Sequence, residues 1–212
     1  MREYFTYIFL SEIEKYIILN KKKILDIGGA SGTFCKILSK LRKCDATNLD
    51  PSPGKKFWKN TVIAFADKIP FSKNVFDLVI CRGVFEHIPP EKQQPSINEM
   101  YRVTKHGGYG YIVIPPWYNP HAGHGLKPFH LLPFNIAKFL RELIFRNKIT
   151  GHSYEEVVLY KITCKKMEQM IKKSGFQIVE TLDTHLRLHF LTKVPILREI
   201  LIPAVAYIII KR

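Results

Sequence analysis

Three aspartates stand where short apolar runs end. Asp26 follows Ile24-Leu25 and leads through Ile27 into Gly28-Gly29-Ala30-Ser31-Gly32. Asp50 closes the run Cys44–Leu49, and Asp67 follows Val62–Phe65. GxGxxG is absent, so a pyrophosphate cradle is not specified. An acid two residues before the first glycine suits a ligand that carries a cation. A carboxylate at the end of a second strand can accept both hydroxyls of a ribose. One after the third can accept from the exocyclic amine of adenine. Gly28 and Gly32 let backbone approach such a ligand closely.

Histidines form the second chemical set. His121, His124 and His130 cluster in the segment 117–160, and His87 follows a fourth apolar run. Imidazole takes a proton near neutral pH, so it suits a general base for a hydroxyl acceptor. His121 or His124 is expected in that role, with His87 as the other candidate. The stretch Leu126–Phe134 offers no carboxylate to complete a metal set, and no metal is expected. Cys35, Cys44, Cys81 and Cys164 contain no CxxC pair, which argues against structural zinc and a disulfide framework.

The elements that must position these residues alternate. An amphipathic helix is expected over Glu3–Leu19, and a buried strand over Lys23–Ile27. Phe34, Ile37, Leu38 and Leu41 give a helix from about Ser31 to Leu41. Further strands are expected at Cys44–Leu49, Val62–Phe65, Val75–Cys81 and Tyr109–Ile114. A helix between the last two begins near Pro95 and ends before Gly107-Gly108. The segment 117–160, entered through Pro116, breaks the rhythm with Pro120, Pro128 and Pro133 and a possible helix at Asn135–Phe145, and reads as a lid over an acceptor site. A helix at Thr163–Ser174, a strand at Phe176–Glu180 and a strand at Ala204–Ile210 follow. No helical pattern of normal length separates those two strands, so they suit an antiparallel closing pair. The fold expected is one α/β domain over 1–212. It has a Rossmann-like, mostly parallel sheet with helices on both faces, a closing antiparallel strand and a lid after strand five.

Four stretches taken in order resemble the class I S-adenosylmethionine-dependent methyltransferases, the broad group that includes the quinone-biosynthesis enzymes. They are Asp26–Gly32; Asp50; Ala66-Asp67-Lys68-Ile69-Pro70-Phe71 with Phe76-Asp77-Leu78-Val79; and Phe85-Glu86-His87-Ile88 with Glu99–Gly108. The resemblance implies S-adenosylmethionine as cofactor. Asp26, Gly28, Gly29 and Gly32 would hold its methionine part, Asp50 its ribose and Asp67 its adenine. The Cys81-Arg82-Gly83 turn would face the methionine moiety and the substrate. Ala30 stands where the family's middle glycine usually lies. Pro115-Pro116-Trp117-Tyr118 is similar to the signature of amino-methylating nucleic-acid enzymes, but follows the fifth strand instead of the fourth and reads as a rigid exit into the lid. The lid has a fainter likeness to methyltransferases of glycan and cell-surface polymer assembly.

The chain of 212 residues carries 33 basic and 18 acidic side chains, a formal charge of +15. Such a chain binds polyanions at low salt, but no nucleic-acid recognition module is visible. The Phe5/Phe9/Tyr16 face suits packing of its helix on the sheet or lid; with the aromatic lid and the basic charge, the alternative is peripheral contact with an anionic membrane. No run reaches the length that spans a bilayer and no signal peptide is evident, so a cytoplasmic location is expected. The function expected is methyl transfer to a small-molecule, glycan or lipid-linked acceptor, at oxygen. The alternatives are RNA methylation and a non-catalytic partner subunit of the same fold. Oligomeric state is open.

Overall fold

The computed structural model describes residues 2–146, 148–184 and 189–212, with side chains for all of these but residues 2–5 and 189. The strands are β1 (Lys23–Ile27), β2 (Asp45–Leu49), β3 (Thr61–Val62), β4 (Phe76–Arg82), β5 (Thr104–Ile114), β6 (Gln177–Asp183) and β7 (Val205–Ile210). The helices are α1 (Arg2–Ile13), α2 (Thr33–Arg42), α3 (Pro90–Val103), α4 (Phe134–Phe145), α5 (Cys164–Ser174) and α6 (Pro195–Leu201). One sheet runs in the order β3-β2-β1-β4-β5-β7-β6. The first five strands are parallel, and β7 lies antiparallel between β5 and β6.

The central strands are apolar throughout because helices cover both faces. Successive side chains alternate between two core layers. Leu25, Ile27, Val79, Cys81, Ile112 and Tyr207 pack with Ile97 and Met100 of α3 and Met167 and Ile171 of α5. Ile24, Leu78, Ile80, Tyr111 and Ile208 pack with Phe9, Leu10 and Ile13 of α1 and Cys35 and Leu38 of α2.

Several boundaries differ from the sequence expectation. α1 stops at Ile13, and the chain then turns so that Leu19 re-enters the core. The helix is not cleanly amphipathic, since Thr6 and Glu12 are buried beside Phe9 and Ile13. Glu12 accepts a hydrogen bond from the Tyr111 hydroxyl, which explains a carboxylate on the inner face. Phe9 packs edge-on against Phe34 and Tyr111, and the Tyr16 hydroxyl donates to Glu180. These two aromatics of the Phe5/Phe9/Tyr16 face therefore serve the protein's own interior, while the side chain of Phe5 lies outside the described residues.

α3 starts at Pro90 rather than Pro95. Pro90 occupies the first helical position, where a missing N–H is harmless, and Pro95 is accommodated inside the helix. β3 is Thr61–Val62 and shares only Val62 with the expected Val62–Phe65, and α6 is a short helix between β6 and β7 where none was expected. Gly107 and Gly108 do not cap α3. They form an irregularity at the head of β5, where Gly107 adopts φ +73°. There the Gly107 N–H donates to the Lys211 carbonyl, and the Lys211 N–H donates to that of Gly108. Among the described residues, no helix is long and apolar enough to cross a membrane.

Lys211 pins β7 to this corner. It is 4% exposed, and its ammonium donates to Asn74 Oδ1 and to the carbonyls of Tyr101 and Thr104 at 2.8, 2.8 and 2.9 Å. Replacing it strands three acceptors in a desolvated corner. Lys211→Met is expected to lower unfolding free energy by about 1–3 kcal/mol, read from the urea midpoint. An unchanged midpoint would show that the corner holds without it.

Candidate functional site

The carboxyl ends of β1, β2 and β4 converge where a doubly wound sheet forms its ligand crevice. The glycine turn after β1 is fixed by its neighbours. Gly28 N–H donates to the Leu49 carbonyl at 2.7 Å. Ala30 N–H donates to Asp50 Oδ2 at 2.8 Å, and the Ala30 carbonyl accepts from Asn48 Nδ2 at 2.9 Å. Ala30 itself sits at φ +49°, a left-handed conformation that glycine would adopt without strain.

Two cavities share Gly28. One, of about 370 Å³, is lined by Asp26, Gly28, Gly29, Ala30, Phe34 and Arg82, among others. The other, of about 390 Å³, is lined by Ile27, Asp50, Phe65, Asp67, Val84 and His87, among others. Asp26 is 2% exposed, and burial raises its pKa to about 6 against the opposing pull of Arg82. The Arg82 guanidinium stacks on the Phe34 ring at 3.6 Å, and its Nε is buried without a hydrogen-bond partner.

The glycines play unequal parts. A Cβ on Gly28 would meet Val84 Cγ2 at 2.3 Å, and one on Gly29 would meet the Asn48 and Asp26 side chains at 2.3 and 2.5 Å. One on Gly32 would strike Trp58 at 2.6 Å. Gly32 thus lets α2 pack against Trp58 and Asn48, and lines neither of these two cavities. Cys81 also lines neither. It lies in the core layer beside Ile27 and Val79, and burial holds its thiol protonated. Asp67 stands at the rim of the second cavity, with its carboxylate 3.5 Å from Lys92 Nζ.

A third cavity, of about 210 Å³, adjoins these under the lid and is lined by His87, His124, Leu126, Ile149, Val157 and Leu159, among others. His87 lines both this cavity and the second one. Its Nδ1 lies 2.7 Å from the Val158 carbonyl, so that nitrogen carries the proton and Nε2 keeps the lone pair. The rings of His87 and His124 lie 4.8 Å apart. His124 Nε2 is 3.5 Å from Oε1 of Glu86, a carboxylate 3% exposed whose Oε2 has no hydrogen-bond partner. Donor atoms of Glu86, His87 and His124 lie within 4.8 Å of one another, a set that could also hold a cation.

The other two lid histidines do not join them. His121 is exposed, its N–H bonds to Asn119 Oδ1 at 2.9 Å, and it lines none of these cavities. His130 is buried, with Nε2 2.7 Å from the Trp117 carbonyl, and burial lowers its pKa. Trp117, Phe129 and Phe134 pack with Leu126, Ala137 and Leu159 as the lid's own core. Sequence reasoning passed over Glu86, because nothing in Phe85-Glu86-His87-Ile88 shows that its carboxylate meets a histidine from the lid.

The donor set matches S-adenosylmethionine. A buried carboxylate and a guanidinium on one cavity suit the ammonium and carboxylate of its amino-acid end. Apolar walls of Ile27, Phe65 and Val84, with Asp50 and Asp67 at the edges, suit a nucleoside. The fold is similar to that of S-adenosylmethionine-dependent methyltransferases, and this set fits the resemblance carried by the sequence.

The comparisons agree. Residues 25–112 match the family described as a methyltransferase domain. An uncharacterised methyltransferase of a Mycobacterium species (strain JLS) is 27% identical over 118 residues, 52% of this chain and 46% of that protein. One of Mycobacterium tuberculosis is 26% identical over 195 residues, covering 85% of this chain and 73% of that one. The chain spans about half the length of the first of these relatives. An S-adenosylmethionine-dependent methyltransferase from Archaeoglobus fulgidus superposes with TM-score 0.64 at 17% identity, covering 100% of this chain and 95% of that one.

Asp26 is held at the expense of stability. Its folded pKa of about 6 exceeds the ordinary 3.8, so the folded state binds the extra proton and stability falls as pH rises through that window. Asp26→Asn is expected to raise the melting temperature of the ligand-free protein at pH 7, by about 1–3 kcal/mol of stability, and to weaken S-adenosylmethionine binding at least tenfold. In the parent, that affinity is expected to drop below pH 6. Calorimetry at pH 5 and pH 8 checks the sign, and equal affinities at the two would remove Asp26 from the site.

Proposed function

We propose that the protein transfers a methyl group from S-adenosylmethionine to a hydroxyl oxygen of an acceptor seated under the lid. The observation that carries this reading is His87, whose side chain borders both the nucleoside-sized cavity and the cavity that contains His124. Donor and acceptor chambers therefore meet at one residue.

The bound cofactor supplies a sulfonium-activated methyl group, so the protein contributes mainly alignment and a place for the proton. Asp26 and Arg82 hold the amino-acid end, and Asp50 and Asp67 hold the nucleoside. Phe34 backs Arg82 and restricts its swing. His124 takes the proton of the acceptor hydroxyl, and Glu86, buried beside its Nε2, stabilises the imidazolium that results. His87 is kept in one tautomer by the Val158 carbonyl and accepts a hydrogen bond from the acceptor through Nε2. The apolar lining from Leu126, Ile149, Val157 and Leu159 excludes water from the transfer. His121, which lines none of the three chambers, takes no part.

His124→Ala is expected to lower kcat about 100-fold while leaving S-adenosylmethionine affinity unchanged, the pattern of a lost general base. Glu86→Gln should lower kcat by a smaller factor, and His121→Ala should leave it as it is. Steady-state kinetics with a hydroxylated acceptor, paired with calorimetry, reads both quantities. Full turnover in His124→Ala would exclude transfer to a hydroxyl through this residue and favour a nitrogen or carbon acceptor.

A further inference from the structure

The lid turns an apolar stripe outward. Ile136, Phe139 and Leu143 of α4 follow i, i+3, i+7 spacing and are 50%, 62% and 63% exposed, while Phe134 and Ala137 on the other side fill the lid core. Leu131 and Leu132, just before α4, are exposed as well. Leu131 lines a groove of about 720 Å³ with Ile196 and Ile200 of α6, a helix with no buried residue. Asn119 Nδ2 donates to the Ile200 carbonyl at 2.8 Å and ties lid and α6 together. Single exposed apolar residues are ordinary, but a stripe of three along one helix, with two exposed leucines just before it, marks a contact surface.

The placement of this face is specific. β5 ends at Ile114 opposite Val205, the first residue of β7. The lid that follows Ile114 and the α6 that precedes Val205 therefore rise from the same sheet edge as the cofactor crevice. The charge around the stripe has one sign. Between residues 127 and 148 stand Lys127, Lys138, Arg141, Arg146 and Lys148 against Glu142 alone.

We infer that α4, Leu131–Leu132 and α6 dock onto an anionic lipid bilayer, with α4 lying in the plane of the headgroups. An amphipathic helix with a basic flank binds such a surface by apolar insertion and charge together. A second copy of this chain fits the face poorly, because two molecules of charge +15 repel. Docked this way, the segment that carries both α4 and His124 lies against the bilayer. The acceptor class that follows is a membrane-resident amphiphile with a hydroxyl on its polar head. That last step rests on the methyl-transfer reading; the docking does not.

Vesicle flotation of the whole chain tests the docking, with phosphatidylcholine alone or mixed with phosphatidylglycerol, at low and physiological salt. The parent is expected to float with the anionic vesicles and not with the neutral ones. The double variant F139E/L143E is expected to lose at least tenfold of the bound fraction while S-adenosylmethionine affinity stays constant. F139S/L143S, a gentler pair, should show the same direction if the glutamates impair expression. Equal flotation by parent and variants, or none by the parent, would overturn the proposal. A parent dimer that light scattering finds split by F139E would also overturn it, in favour of a homodimer face. Vesicle binding without S-adenosylmethionine binding would sink the methyl-transfer reading and leave the docking standing.

Discussion

The crevice depends on the carboxylate of Asp50. One oxygen accepts from the Ala30 N–H and the other from the Ser52 N–H, each at 2.8 Å. Three pieces of chain are thereby held by one side chain: the turn after β1, the end of β2 and the loop beyond. The left-handed backbone at Ala30 costs about 1–2 kcal/mol, and a turn left to itself would relax. Here both backbone groups of Ala30 are engaged, by Asp50 and by Asn48, and the Ser31 carbonyl is engaged by the Trp58 N–H at 2.8 Å. The shape of the turn resides in its neighbours, which is how an alanine occupies a place that favours glycine. Each oxygen of Asp50 keeps a further lone pair, so bracing the turn does not stop the same group from receiving ribose hydroxyls.

The other acid of the crevice is under the opposite constraint. Asp26 gains little from its own protein: Arg82 opposes its desolvation only in part, and the Cys35 thiol is a weak donor at 3.9 Å. Asp50 is satisfied by backbone donors, while Asp26 is buried with weak partners. The pair shows why two aspartates at adjacent strand ends are not interchangeable, though the sequence presents them alike.

Much of the sheet was legible because burial on both faces writes itself as continuous apolar runs. β1 matches its expected limits, and β4, β5 and β7 carry the runs that mark them. Boundaries failed where tertiary contacts overrode local signals. Gly107-Gly108 looked like a helix stop, but their freedom serves the meeting with Lys211. Pro95 looked like a helix start, but Pro89-Pro90 held that role. The candidate cofactor acids were visible from their places at strand ends. The Glu86–His124 approach was not, because it joins residues 38 positions apart through a lid whose path no periodicity encodes. Trp117, Phe129, Phe134 and Tyr154 of that lid are its own filling, for a segment away from the sheet must bury side chains to hold a shape.

The placement of β7 between β5 and β6 has a consequence for how the chain matures. Residues 104–183 can be synthesised, and α5 can form, while β5 and β6 still lack the strand that joins them. Until residues 205–210 leave the ribosome, β5 offers an unpaired apolar edge to any passing strand, a state that invites aggregation. The link from β5 to β7 closes over about ninety residues, which places this pairing among the slow, non-local steps of assembly. A nascent chain of this protein is thus most vulnerable just before its final strand emerges, when chaperone occupancy of β5 matters most.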